Sequence, residues 1–280
     1  MDILRTDKNN NVIAGYTPFV NNSTISFRGQ NNLLYCEEKC VIEKSIITFH
    51  GSNSLIYLGK SNHRIQADIY NNSVLHSGSN NTYTDGNGFN RVLRFLLSEE
   101  RHCFIGNNCL FSYDIVIRNS DPHLLYSCES GERINPTQSV YIGDHVWVGQ
   151  SVFLFKGSSV DSGSVIGARS VVSGKKIPHN TVWAGIPARQ IKTGVFWSGS
   201  CVHGFDSEAT EASMNYSDYI KYRKAKLPAD SFIYKYDEAS LIKWHDIEER
   251  LNTGTAKDKC LYLIDLNKKK TKNRFVNDHS

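Results

Sequence analysis

The chain has 280 residues, of which 40% are apolar and 21% charged, enough for one large core or two small ones and too apolar for a disordered polyelectrolyte. Its formal net charge is +4 and its mean hydropathy −0.40. That positive balance is too weak to argue for nucleic acid and suits anionic small molecules. No apolar run approaches the ~18–20 residues of a membrane span, and Met1–Asp7 lacks a basic-then-apolar leader. The expectation is a cytoplasmic protein with no membrane span and no nucleic-acid partner.

Seven cysteines, an odd number, occur without a secretory leader. They read as reduced thiols packed as small hydrophobes. Cys36 and Cys40 are the one close pair, and no Cys-x2-Cys partner completes a zinc set, so no metal is expected.

From the N-terminus, the first organised stretch is a repeat. The segment Ile25 to Tyr35 recurs 22 residues later as Ile47 to Tyr57, with Ile, Phe, Gly, Asn, Leu and Tyr all matched. Ile-x-Phe, then Gly-x-Asn, then an apolar run reads as strand, corner, strand. A looser third copy includes Gly78, Ser79 and Asn80. Coils therefore begin near residue 20 and continue to about 195.

Further along, aliphatic residues recur in steps of six at Ile142, Val148, Leu154, Val160, Ile166 and Val172, with an in-phase run at Ile105, Phe111 and Ile117. A period of six fits neither a helix nor a hairpin. It fits a chain that extends, turns a corner and repeats, three sides closing one coil of a prism and stacked coils burying an aliphatic column. Between Ile117 and Ile142 the phase slips by one residue. The interval about 121–139 holds Pro122, Gly131 and Pro136 and reads as a loop thrown out of the stack.

After residue 200 the pattern stops. Phe232–Tyr236 reads as a strand, Asp237–Leu251 as an amphipathic helix with Leu241, Trp244 and Ile247 on one face, and Cys260–Ile264 as another strand. The run Lys268 to Arg274 is a basic tail, read as a solvated end or as a contact for a polyanionic acceptor.

These motifs carry a resemblance. The hexad run, Ile117-Arg118-Asn119-Ser120-Asp121-Pro122-His123, Gly131 to Asn135, Ile142 to Gly149, and the Ala184-Gly185-Ile186-Pro187-Ala188-Arg189 end are similar to the hexapeptide-repeat acyltransferases. The likeness is closest over residues 100–192, and to the branch that O-acetylates bacterial capsular polysaccharides and sialic acids. The resemblance implies an all-β fold, a left-handed parallel β-helix over residues 1–200. That helix carries an inserted active-site loop, and a small mixed α/β extension follows at 201–280. It implies a homotrimer using acetyl-CoA, with a glycan or activated sugar as acceptor.

Acetyl transfer from a thioester to a hydroxyl needs a base, donors for the oxyanion and a fixed donor arm. Among ten histidines, His123 stands where a coil ends and the insertion begins, and by resemblance it is the base. Asp121 beside it is expected to hold the ring or the loop. Trp147 faces outward in the hexad phase, where an indole needs a cover; by resemblance it belongs to the catalytic site. By motif match the resemblance places donor contacts at Gln150, Ala168, Ser173 and Gly174; Lys175, Arg189 and Lys192 are the candidates for the donor phosphates, and Arg118, Asn119 and Ser112, on the coil edge beside His123, are the candidates for acceptor contact. His145 and His179 are read as solvent-facing corner residues. The stretch Val172 to Pro178 is one residue longer than the usual family version, which leaves open which of Ser173, Gly174 and Lys175 faces the donor. An amino-sugar N-acetyltransferase and a non-catalytic scaffold remain as alternative readings. A zinc-dependent hydratase of the same fold would need a His-x4-His pair, and none is present.

Overall fold

The computed structural model describes residues 1–84, 93–224, 241–269 and 275–277. The chain winds as a three-sided parallel β-helix. Each coil lays one strand on face 1, one on face 2 and one on face 3, then climbs. Among the described residues, face 1 is a nine-stranded sheet, face 3 a seven-stranded sheet, and face 2 a three-stranded sheet followed by a six-stranded one. Every ladder within the prism is parallel except at its two ends. Ile3–Thr6 pairs antiparallel with Val12–Gly15, and Val182–Gly185 with Ala188–Lys192.

The sequence repeats are the ladder registers. Ile25 pairs with Ile47 and Tyr35 with Tyr57, so the 22-residue repeat is one turn of the prism. In the hexad region a turn is 18 residues: Ile142 pairs with Val160, Val148 with Ile166 and Leu154 with Val172. These six side chains point inward and are fully buried. Each contributes roughly 1.5–3 kcal/mol of burial. The coils start earlier than expected, with the strand Val12–Gly15 already on face 1. Corners need a left-handed residue, which Asn adopts at little cost. Asn80 and Asn108, then His145 and Asn180, stand at the 1/2 edge with φ between 52° and 60°. His145 therefore occupies a position where other coils use Asn.

The C-terminal segment holds a short 3-10 turn at Val202–Gly204 and four described α-helices: α1 (Ser207–Ala212), α2 (Tyr216–Arg223), α3 (Trp244–Leu251) and α4 (Ala256–Lys268). The expected helix ending at Leu251 is α3 in its described part, with Trp244, Ile247 and Leu251 buried. The expected strand at Cys260–Ile264 is instead the middle of α4. A capping box between Thr255 and Asp258 opens that helix, and Cys260, Leu263 and Leu266 recur on one buried stripe. The strand expected at Phe232–Tyr236 and most of the basic tail lie outside the described residues.

The extension roofs face 1. Outward-facing Tyr35, Tyr57, His76, Phe104 and Tyr141 stack up that face in register. Their rings lie 4.8 Å (Tyr35–Tyr57), 4.9 Å (Tyr57–His76) and 4.2 Å (His76–Phe104) apart, the spacing that adjacent strands impose. Trp244 stacks on Tyr141 at 5.1 Å and on Phe275 at 4.9 Å. With Leu251, Cys260, Leu263 and Leu266 they form a second core outside the prism. Polar pins fix it: Trp244 Nε1 donates to Asp161 Oδ1 at 2.9 Å, and Asn277 donates to both oxygens of the same carboxylate at 3.0 and 2.7 Å. No described helix is long and apolar enough to cross a membrane.

Candidate active site

The insertion leaves face 3 after the strand Val116–Arg118 and returns to face 1 at Val140–Ile142, so it springs from the 3/1 edge. Its stem is a short antiparallel pairing of Tyr126 with Arg133. The stem is tied to the prism through Asn135, which is 5% exposed between the exposed Ile134 and Pro136. The Asn135 amide donates to the His123 carbonyl at 2.8 Å and to Asp121 Oδ2 at 3.1 Å, and its oxygen accepts the Leu125 N–H at 2.9 Å. Lys156, one coil up, donates to Asp121 Oδ2 at 2.6 Å and to the Asn135 carbonyl at 3.1 Å. Arg133 forks onto Glu99 at 2.9 and 3.0 Å, and Thr137 donates to the same carboxylate. The root is thus held by charge-assisted bonds, the strong kind.

His123 sits just beyond this root, solvent-exposed, with its backbone gripped by Asn135. The Asp121 carboxylate is spent on Lys156 and Asn135, and the hydrogen bond from Lys156 holds it below the usual carboxylate range. These contacts tie Asp121 to the loop root. Arg118 lies half-buried on the outer surface of face 3, beside Phe155 in the ladder. Its Nε is buried and has no hydrogen-bond partner among the described residues. Asn119 departs from its expected acceptor role. It is fully buried, and its side chain serves the Ser98 N–H at 3.0 Å and the Arg101 carbonyl at 2.9 Å. It is a corner rivet. Ser112 is half-buried at the 2/3 edge, away from His123.

Trp147 projects from face 2 and is 39% exposed, between Leu110 and Val165 in the ladder. Gln150 follows it at the 2/3 edge, with exposed Ala168 one coil above. Exposed Arg189 and Lys192 stand on the terminal hairpin of face 2. Ser173, Gly174 and Lys175 lie instead on the 3/1 edge, where the Gly174 N–H donates to the Lys156 carbonyl at 3.1 Å. The expected residues therefore fall into two groups. His123, Asp121, Arg118 and Ser173–Lys175 line the 3/1 edge. Trp147, Gln150, Ala168 and Ser112 line face 2 and the 2/3 edge. Face 3 separates them within one chain. It carries a half-exposed apolar patch of Leu96, Val116, Phe153, Phe155 and Val171.

His145 is not solvent-facing as expected. Its ring is stacked under Trp197 at 4.0 Å, and burial lowers its pKa. Asn135, Lys156 and Glu99, the residues that hold the loop root, escape sequence reasoning. Their partners named above are 10 to 38 positions away, and no periodicity marks such pairs.

No family model matches the chain. Comparison with known proteins nonetheless finds close relatives. A polysialic acid O-acetyltransferase of Neisseria meningitidis is 30% identical over 197 residues, 70% of this chain and 88% of that protein. The crystal structure of the polysialic-acid-specific acetyltransferase NeuO superimposes with a TM-score of 0.55 at 23% identity, over 76% of this chain and 98% of that one. That of the polysialic acid O-acetyltransferase OatWY gives 0.53 at 25%, over 71% and 97%. The prism is accordingly the left-handed parallel β-helix of these enzymes. The chain belongs to the hexapeptide-repeat O-acetyltransferases, in the branch that contains the polysialic acid O-acetyltransferases.

Proposed function

We propose that the protein moves the acetyl group of acetyl-CoA to a hydroxyl of an acidic capsular polysaccharide, of the polysialic acid kind or its activated precursor. It does so as a cytoplasmic homotrimer with His123 as general base. The observation that carries this reading is the division of the site. The base candidate stands on the 3/1 edge and the indole on face 2, with face 3 between them, and a neighbouring copy packed along face 3 brings the 3/1 edge of one chain toward face 2 of the next. The roofed face 1 leaves faces 2 and 3 for that contact, and exposed Leu124, Leu125, Tyr126 and Ile134 on the insertion supply further apolar area for it.

In this mechanism the sugar oxygen attacks the thioester carbonyl carbon while its proton passes to the His123 imidazole. The Trp147 indole N–H donates to the oxygen that gains charge. The C–S bond then breaks, the imidazolium returns its proton to the CoA sulfur, and the products are an O-acetyl sugar and free CoA. The Arg118 guanidinium, with an unengaged Nε, suits an acceptor carboxylate. Exposed Arg189 and Lys192, and half-exposed Lys175, suit the donor phosphates. Gly174 has open space where a side chain would stand, which leaves room for the pantetheine arm.

The test is thiol release from acetyl-CoA with polysialic acid as acceptor. His123→Ala is expected to lose roughly 10²–10⁴-fold in turnover while its melting temperature and CoA binding stay at the wild-type values. Full turnover in that variant rejects His123 as the base.

A further inference from the structure

After the terminal hairpin the chain does not leave the prism. Residues 193–200 run back down the 1/2 edge as a strap. Val195 is held by both backbone and side chain of Asn180: its N–H donates to the Asn180 carbonyl at 3.0 Å, and Asn180 Nδ2 donates to its carbonyl at 2.9 Å. Further down, Trp197 and His145 clasp each other. The indole N–H donates to the His145 carbonyl at 2.8 Å, and His145 Nε2 donates to the Trp197 carbonyl at 3.1 Å. The two rings stack at 4.0 Å with 5° between their planes. Trp197 is 9% exposed, too buried to serve as a landing surface for a ligand. What it does touch is the ring of Trp147, at 6.1 Å and 48°.

A side chain on a strand leans one way or the other along the strand, in one of a few staggered wells. For Trp147, one of those directions leads to the 1/2 edge, where the clasped Trp197–His145 pair already stands. The ladder neighbours Leu110 and Val165 close the directions up and down the prism. The open direction is toward the 2/3 edge, from which Gln150 and Ala168 project. We infer that Trp197 is a positioning residue for the transfer reaction: braced on His145, it walls off one side of the Trp147 indole and holds its N–H toward the edge where the donor lies. This inference rests on the proposed role of Trp147. It gives the strap a place in the active site.

Steady-state kinetics on the full-length protein test it, with acetyl-CoA and polysialic acid as substrates. Trp197→Ala is expected to lower kcat about 10–100-fold, the scale of a small misplacement of a reacting group, with the KM for acetyl-CoA changed less than about threefold, because the indole acts on charge that develops in the transition state. Trp197→Phe keeps a ring on the imidazole and is expected to recover most of that loss. In a Trp147→Phe background, Trp197→Ala is expected to change kcat less than about twofold, because the two act through one indole. An unimpaired Trp197→Ala enzyme overturns the inference. So does an equal loss in both backgrounds, which signals a general structural role. Should Trp197→Ala fail to fold, Trp197→Phe and Trp197→Leu carry the same comparison. Full activity in Trp147→Phe alone is a different result: it removes the proposed role of Trp147 and the inference with it, while His123→Ala still reports on the transfer reaction itself.

Discussion

Single side chains at this site do work that their type alone does not announce. Asn135 holds the backbone of His123, the carboxylate of Asp121 and the Leu125 N–H at once. Replacing it with Ala is expected to leave the prism intact and to cut kcat by about 10–100-fold, since the proposed base loses its fixed mount; kinetics beside a thermal melt separate the two effects. His102 shows a charge decision of another kind. Its Nδ1 accepts the Val74 N–H at 3.2 Å, so Nε2 carries the proton and donates to Asn252 Oδ1 at 3.1 Å. Burial pulls its pKa down to about 3 from an ordinary value of 6.5. Between those values the unfolded chain binds the extra proton and the folded chain refuses it. Stability therefore falls as pH drops below 6.5, by up to ~1.4 kcal/mol per pH unit from this residue. Denaturant melts between pH 7 and pH 4 measure the slope. It should flatten in His102→Gln, and an unchanged slope refutes the assignment to this imidazole.

At the scale of elements, the hexad aliphatics announced the prism because an inward position recurs at every corner-to-corner side whatever the coil's neighbours are. The 22-residue spacing of Ile25 and Ile47 marked a repeat of strand and corner, and the ladder makes that repeat one coil. The insertion showed itself as a phase slip, and His123 at its root was legible only through likeness to a family. The C-terminal part was misread at Cys260–Ile264 because β-branched and aromatic residues weigh toward strand in a short window. The helix there is decided by a cap upstream and by a buried stripe whose partner is face 1. The aromatic column on that face was invisible for the same reason: Tyr35, Tyr57, His76, Phe104 and Tyr141 are 19 to 37 residues apart with no fixed period. Trp244 is the extension's main purchase on that column. Trp244→Ala removes two ring stacks and the bond to Asp161. It is expected to cost about 3–5 kcal/mol and to open the region after residue 240 to limited proteolysis, with the prism surviving as a resistant fragment.

For the molecule as a whole, the two groups of site residues make a prediction about mixing. His123→Ala and Trp147→Ala are each expected to be inactive alone. If the proposed trimer pairs the 3/1 edge of one chain with face 2 of the next, random reassembly of equal amounts leaves a sound His123 facing a sound Trp147 at about a quarter of the seams, by the statistics of a closed ring. Unfolding the two variants together, refolding them and assaying thiol release reads that fraction. No recovery means that both groups serve one chain, or that one of them does not serve at all.

The roof over face 1 bears on where copies of this protein stop adding to one another. A bare triangular prism offers three equivalent-looking walls, and strands on every wall invite neighbours in every direction. Here one wall is covered by the chain's own helices α3 and α4, so lateral growth into a layer has no third direction to use, and the ring proposed above would have the other two walls to close on.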